Sequence, residues 1–322
     1  MARIRVGVVR GGIGSEYEVS LKSGASVLKN LDQDKYETRD ILISRDGTWS
    51  ADGMPYTPER LRGHIDVVFN ALHGEYGEDG SIQRVFDSVM VPYTGSTSFP
   101  SALGMNKVLS KATFKQLGLK VPFGETYSSV HGTPEEIARM AWNRVPCPWV
   151  VKPANLGSSV GVSIAKSLAE LVNAVQTALD LSKTIIVEEF IKGREATAGV
   201  VDGLRGHTHY ALPAVQIIKP DSKEFFDYEA KYTGITQEIC PGHFTEDEHA
   251  VLRDAAVKVH AGLGLRHYSR TDFIVSPRGI YVLEVNTLPG LTSESLLPKS
   301  LDAVGVPYSQ FLDHILTLAL RR

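Results

Sequence analysis

The chain has 322 residues, 43% of them hydrophobic and 22% charged, with a formal net charge of -3. That length exceeds one compact core of ordinary size, so two or three subdomains around a shared cleft are expected. The charge balance, without a polybasic run, excludes a strongly basic nucleic-acid or anionic-membrane surface, and no apolar run approaches the ~18 residues that span a bilayer.

In chain order, Ile4–Val9 reads as a first strand, leading through Gly11-Gly12-Ile13-Gly14 into a helix from about Ser15 to Leu31. The apolar stretch at the start is too short and too soon interrupted for a signal peptide, which makes the cytoplasm the expected compartment. Ser15 and Glu18 have the spacing of a capping box. A strand over Lys35–Ile43 ends at Asp46-Gly47, a hairpin-type turn. Ile65–Leu72 reads as a buried strand and Ser81–Val89 as a helix, so this part of the chain predicts a small open α/β sheet. The Gly-, Ser-, Thr- and Pro-rich run from Pro92 to Pro100 reads as a boundary.

Beyond it, Lys107–Leu117 reads as a helix, Pro148–Lys152 as a strand and Val160–Ala165 as the strand returning from a loop of small residues. A helix over Leu168–Leu181 and a strand over Thr184–Phe190 follow. Val215 to Gly242 lacks periodicity and reads as a long irregular loop of the kind that usually carries function or is disordered. Glu246–Gly262 is a well-patterned helix, Phe273–Val275 and Ile280–Val285 are strands, and Leu301 to Leu320 is mostly helical. The two cysteines, Cys147 and Cys240, form neither a disulfide framework nor a metal-ligand spacing.

The strongest chemical signal is the hairpin Arg270-Thr271-Asp272-Phe273-Ile274-Val275 and Tyr281-Val282-Leu283-Glu284-Val285-Asn286. With a three-residue loop, Pro277-Arg278-Gly279, Ser276 pairs with Ile280, Asp272 lies opposite Glu284, and Arg270 opposite Asn286. Alternation then puts those four on one face and Phe273, Val275, Leu283 and Val285 on the other. Two carboxylates with Cβ atoms ~5 Å apart need a cation between them. Asp, Glu and Asn oxygens suit a magnesium ion that also meets substrate phosphates. A solvated face with a surface salt bridge accounts for the hairpin equally well, and a two-residue loop would favour it.

Lys152 enters the loop Asn155-Leu156-Gly157-Ser158-Ser159, whose backbone N–H groups can approach anionic oxygens; the Walker pattern is absent. The strand Ile185-Ile186-Val187-Glu188-Glu189-Phe190-Ile191 can offer an edge to a base, and Glu195 can accept from hydroxyls. Glu16 at a helix start can hold an ammonium group or simply favour the helix dipole. His73 follows a buried strand, where open sheets bind ligands. Gly290 can present a backbone N–H to an oxyanion, and Ser295 can donate to a carboxylate. Each of these also has an ordinary structural explanation.

Together these pieces resemble the D-alanine–D-alanine ligase family. The matching motifs are Gly11-Gly12 with Ser15-Glu16 and Glu18-Val19-Ser20; His73-Gly74 with Gly77-Glu78-Asp79-Gly80; Ser101-Ala102-Leu103 with Met105-Asn106-Lys107; Lys152-Pro153 with Gly157-Ser158-Ser159-Val160-Gly161; Asp227-Tyr228 with Lys231-Tyr232; Arg270 with Asp272; and Glu284, Asn286-Thr287, Pro289-Gly290 and Thr292-Ser293. They occur in family order from residue 4 to about 312. The resemblance implies an α/β ATP-grasp fold: an N-terminal open α/β, Rossmann-like domain (1–97), a central domain (98–185) and a C-terminal domain (186–322). It implies ATP-dependent joining of two D-alanine molecules through an acyl phosphate, for peptidoglycan precursors.

By the same resemblance, Lys107 and Lys152 hold ATP phosphates and Lys231 approaches the γ-phosphate. Glu188 and Glu195 contact adenine and ribose, with Phe190 and Ile191 along the base. Asp272, Glu284 and Asn286 bind two Mg²⁺, with Mn²⁺ as a possible replacement. Glu16 takes the first ammonium with His73 nearby, and Ser158 and Tyr232 join Glu16 in ordering a lid. Arg270 and the Gly290 N–H form the oxyanion site, and Ser295 and Leu296 hold the second carboxylate. A homodimer is implied too. The sequence departs from the family's usual pattern in Gly14, commonly Ser, and Asn106, commonly Asp.

Overall fold

A computed structural model describes residues 3–218 and 236–321. The N-terminal sheet comprises β1 (Ile4–Gly11), β2 (Tyr36–Ile43), β3 (Trp49–Ala51), β4 (Met54–Pro55) and β5 (Val67–Asn70), in the order β4-β3-β2-β1-β5. β1 runs parallel to β2 and β5. Crossovers α1 (Tyr17–Asn30) and α2 (Ser81–Ser88) belong to this part of the chain. The expected capping box does not form: the first turn of α1 lacks a side-chain cap, and Glu16 stands at the cap position. The turn at Asp46-Gly47 does form, with Asp46 Oδ1 accepting the Thr48 N–H at 3.0 Å.

Much of the stretch from Pro92 to Pro100 is packed into the fold. Tyr93 bridges to Val68 at the sheet edge, Thr94 and Ser96 are fully buried, and Ser98 already opens α3 (Ser98–Met105). α4 (Lys107–Gln116) follows, capped by Asn106, whose Oδ1 accepts from the N–H groups of Val108 and Leu109 at 3.0 and 3.1 Å. Asn106 therefore does the capping work an aspartate would do there. The other departure has a steric reason: a Cβ at Gly14 would lie 2.9 Å from the Glu75 carbonyl oxygen.

The central sheet orders β6 (Gly124–Ser128), β9 (Thr184–Glu189), β7 (Trp149–Pro153) and β8 (Ser163–Ala165) as β6-β9-β7-β8, antiparallel throughout. Period-2 alternation sends Trp149, Val151, Ile185 and Val187 under α5 (Pro134–Arg144) and α6 (Leu168–Leu181). The opposite face carries Val150, Lys152 and Glu188. A division at residue 185 falls inside β9, whose ladder runs to Glu189.

The C-terminal sheet orders β13 (Gln237–Ile239), β12 (Val215–Ile218), β10 (Arg194–Asp202), β14 (Tyr268–Ser276) and β15 (Gly279–Asn286), with β11 (His209–Ala211) beside β10. Both ends of the segment expected to be an irregular loop are thus strands, β12 and β13, paired with each other. Ala196, Ala198, Val200, Phe273, Val275, Val282 and Val285 pack under α7 (Glu246–Gly262). α8 (Leu296–Asp302) leads to α9 (Tyr308–Leu320), which returns to the N-terminal sheet. Phe311, Leu312, Ile315 and Leu316 there share one core with Val6, Val8, Val27 and Phe69, so the last helix clamps the first domain.

His267 joins the buried crossing segment to the C-terminal sheet by accepting the Gly95 N–H on Nδ1 at 3.0 Å, a bond that requires an unprotonated ring nitrogen. Burial, with Arg266 adding, pushes its pKa down from 6.5 to about 4. Between those values the unfolded chain binds the extra proton, so stability must fall as pH drops. Urea unfolding at pH 7 and at pH 4 is expected to differ by roughly 3 kcal/mol from this group alone. His267→Gln should flatten that limb; a variant with the wild-type slope would remove the assignment.

Candidate active site

The two sheets leave their helix-free faces toward each other. Between them lies a cavity of about 360 Å³. Lys107, Lys152, Glu188, Phe190, Ile191 and Glu195 all line it, so the structure brings together every nucleotide residue inferred from sequence that lies among the described residues. Ile217, Ile274 and Leu283 supply an apolar wall from the C-terminal sheet. Lys231, Tyr232 and the Asp227-Tyr228 pair lie outside the described residues.

Glu188 is not simply a carboxylate at an edge. It is 2% exposed and forms ion pairs with Lys152 at 2.8 Å and Lys111 at 2.7 Å. Burial alone would raise its pKa, but the two ammonium groups outweigh that and hold it below the ordinary glutamate value. Burial pulls Lys111 down to about 8. Lys111 was not singled out in the sequence; its spacing from Lys107, one helical turn along α4, is the only signal that could have suggested it. Lys107 Nζ donates to the Leu156 carbonyl at 2.6 Å and lies 3.2 Å from Glu284 Oε2.

The hairpin differs from expectation in detail and agrees in outcome. Its loop has two residues, with Ser276 opposite Gly279 rather than Ile280, and Phe273 opposite Val282. A bulge between Asp272 and Phe273 then absorbs Leu283, so that Asp272 again faces Glu284 and Arg270 faces Asn286. The correction concerns Leu283, which joins Ile191, Ile274 and Tyr281 on the cavity side instead of packing under α7.

Asp272 accepts from Arg270 Nε and Nη2 at 2.8 and 2.9 Å, from Asn286 Nδ2 at 3.1 Å and from Thr197 Oγ1 at 2.7 Å. Burial works against the Arg270 charge, but Asp272, Glu284 and Glu78 more than offset it and raise its pKa above the ordinary arginine value. The donor set suits a hard divalent cation: two carboxylates on paired strands, and an amide that presents oxygen after a half-turn.

A second, smaller cleft adjoins the first and shares Lys107 and Glu284 with it. Glu16, Ser158 and Asn286 line it. Ser158 Oγ donates to Glu16 Oε1, tying the glycine-rich loop to the first helix. Gly74, at φ +65°, sits in the left-handed region that favours glycine, and a Cβ there would push on the Glu16 carboxylate, whose Oε2 would be 2.3 Å away.

His73 is buried with both ring nitrogens engaged, Nδ1 at 2.8 Å from the Leu288 carbonyl oxygen and Nε2 at 2.7 Å from Ser23 Oγ. Burial lowers its pKa. It therefore braces the loop after β15. Ser295 Oγ accepts the Thr292 N–H at 3.0 Å, and a Cβ on Gly290 would lie 2.8 Å from it. Leu296 is buried against Val215 and Ile217.

Glu78, also not singled out from the sequence except inside a motif, accepts from the N–H groups of Gly74, Thr287 and Leu288 and from Thr287 Oγ1. Burial and the nearby Glu16 push it up to about 7, while these donors pull the other way. It pins the His73 loop to the Thr287 loop, so the N-terminal and C-terminal walls of the small cleft are set by one carboxylate.

A family model described as D-ala D-ala ligase C-terminus matches residues 113–317, and one described as D-ala D-ala ligase N-terminus matches residues 5–61 and 51–96. A D-alanine–D-alanine ligase of Syntrophobacter fumaroxidans is 38% identical over 320 residues, covering 99% of this chain and 98% of that protein. The D-alanine–D-alanine ligase of Bacillus anthracis, solved in complex with ATP, aligns with a TM-score of 0.82 at 31% identity over 99% of this chain and 98% of that one. The VanG D-Ala:D-Ser ligase of Enterococcus faecalis aligns with a TM-score of 0.86 at 28% identity, covering 99% and 100%.

Proposed function

The chain belongs to the D-alanine–D-alanine ligase family, and from that we propose that it joins two D-alanine molecules to D-alanyl-D-alanine at the expense of ATP, supplying peptidoglycan precursor synthesis. The observation that carries this reading is the contiguity of two clefts. Lys107 and Glu284 line both the nucleotide-sized cavity and the small cleft at Glu16, so a phosphoryl group and an amino acid would meet at one point.

A carboxylate is a poor acyl donor. In this reading the carboxylate of the first D-alanine attacks the γ-phosphorus of ATP, giving an acyl phosphate and ADP. The amine of the second then attacks the acyl carbon, and phosphate leaves with the bonding pair. Lys107 and Lys152 bind the phosphates, Lys231 approaches the γ-phosphate, and Phe190, Ile191, Glu188 and Glu195 border adenine and ribose. The Glu188 carboxylate also holds Lys152 in place. Glu16 takes the first ammonium group beside His73, while Ser158 and Tyr232 order the lid that excludes water.

Asp272, Glu284 and Asn286 would hold two Mg²⁺, or Mn²⁺ in their stead. When bound, these ions neutralise charge on the transferring phosphoryl group. Arg270 and the Gly290 N–H stabilise the oxyanion of the second step. Ser295 and Leu296 retain the second carboxylate.

The similarity to a D-Ala:D-Ser ligase makes D-serine the second reading for the acceptor. Phosphate release at neutral pH with ATP and D-alanine alone, D-alanine plus D-serine, and D-alanine plus D-lactate separates them. D-alanine alone is expected to suffice; a requirement for either of the others overturns the assignment. Family membership is the support for a homodimer in the cytoplasm, which sedimentation and fractionation test. Among the described residues no helix is long and apolar enough to cross a membrane.

A further inference from the structure

Away from the clefts, Asp202, His209 and His260 bring a carboxylate oxygen and two imidazole nitrogens within 4.8 Å of one another. Asp202 ends β10 and His209 begins β11, directly opposite in the ladder. His260 comes from the last turn of α7. Three backbone elements therefore fix the three groups independently of any loop.

Both imidazoles converge on one carboxylate oxygen. His209 Nδ1 lies 2.7 Å from Asp202 Oδ1 and needs a proton there. His260 Nε2 lies 3.0 Å from the same oxygen, in a residue that is 0% exposed. A cation ~2.1 Å from both atoms would sit off the line joining them and see them roughly 90° apart.

The surrounding contacts orient the set. His260 Nδ1 is 2.8 Å from Ser269 Oγ, which fixes the ring and can leave Nε2 as the lone-pair atom. Asp202 Oδ2 accepts the His267 N–H at 2.6 Å, leaving Oδ1 turned inward. The Asp202 carbonyl oxygen is 2.6 Å from His314 Nε2. An open groove of about 450 Å³ beside His209, bordered by His207, Arg253 and Asp254, gives access and room for water.

We propose that Asp202, His209 and His260 form a binding site for a borderline divalent transition metal, Zn²⁺ by its nitrogen and oxygen donors, with water completing the coordination. The ion takes the place of the proton that His209 Nδ1 now gives to Asp202, and it staples β10 and β11 to α7. This site is separate from the magnesium set on β14 and β15, and it does not rest on the ligase reading.

Co²⁺ titration of the full chain, stripped of metal and held in excess Mg²⁺, tests it through visible d–d absorption. One Co²⁺ per chain, displaced by Zn²⁺, is expected. His209→Gln should weaken binding about a hundredfold or more and cancel the rise in Tm that Zn²⁺ gives the wild type, with turnover under Mg²⁺ unchanged. Absent stoichiometric binding, or binding that survives His209→Gln, overturns the proposal. Peptide-mapped acylation of histidines in the wild type runs the same test without a variant: Zn²⁺ should protect His209, and equal labelling with and without the ion counts against the site.

Discussion

Glu284→Gln is expected to lower turnover by about a thousandfold, the several kcal/mol that metal-borne charge supplies to phosphoryl transfer, while the unfolding midpoint in urea stays where it is. The fold should survive because Glu284 is one-quarter exposed and its ion-pair partner Lys107 keeps a second anchor on the Leu156 carbonyl. The amide has the same shape and removes only charge. Raising the magnesium concentration should restore part of the rate, since a weakened ligand set fills at higher ion activity. Asp272→Asn should lose comparable activity, but with a stability cost, because four donors converge on that carboxylate and two of them come from Arg270. Turnover of Glu284→Gln within about tenfold of wild type at every magnesium concentration would be too small for a lost ligand, and the metal assignment would fall.

Glu188→Ala should be the most destabilising single change near the cavity, by about 3–5 kcal/mol. Lys111, Lys152 and Glu188 have side chains that are 8%, 9% and 3% exposed, so removing the carboxylate strands two ammonium groups in one poorly solvated place. Lys111 is already pulled down to about 8 by burial with its partner present; without that partner it should shed its proton near neutral pH. Pairing Glu188→Leu with Lys111→Met removes one of the stranded charges and should recover roughly half of the loss, since the breaking of a buried pair costs more than its wholesale replacement. Urea unfolding of the three proteins at pH 7 decides the matter. A Glu188→Ala chain as stable as wild type would mean that water reaches the triad and the lysines need no carboxylate.

The pH dependence attributed to His267 and the metal at Asp202 act on neighbouring groups, so the pH series belongs in a chelator. His267 donates its backbone N–H to Asp202, and an ion on Asp202 Oδ1 would otherwise add its own pH dependence to the unfolding curve.

Much of this protein was legible in the order of its residues. Periodicity marked α6 and α7 to the residue, because long amphipathic segments repeat their signal over several turns. The family resemblance marked Lys107, Lys152, Glu188, Glu195, Glu284 and Asn286, which the fold gathers around connected clefts, with Asp272 facing Glu284 across the hairpin. The strands β10, β12 and β13 escaped notice because their ladders are non-local. Glu195 and Ala196 alternate like any polar and apolar pair until β12 and β14 flank them.

The hairpin shows where local reasoning ends. Its loop has two residues where Pro277-Arg278-Gly279 suggests three, and a two-residue loop taken alone would part Asp272 from Glu284. The bulge at Leu283 reunites them. A side-chain period of two fixes which residues alternate, yet a slip of one residue exchanges the faces at no local cost. Only packing breaks that tie: Phe273, Val282 and Val285 fill the core under α7, and Leu283 turns to meet Ile274 and Tyr281. For the same reason the partners of Lys111, Glu78 and Asp202 belong to the tertiary structure alone. Burial makes an unpaired charge costly, and which charges are buried together is decided by contacts between segments as far as 209 residues apart in the chain.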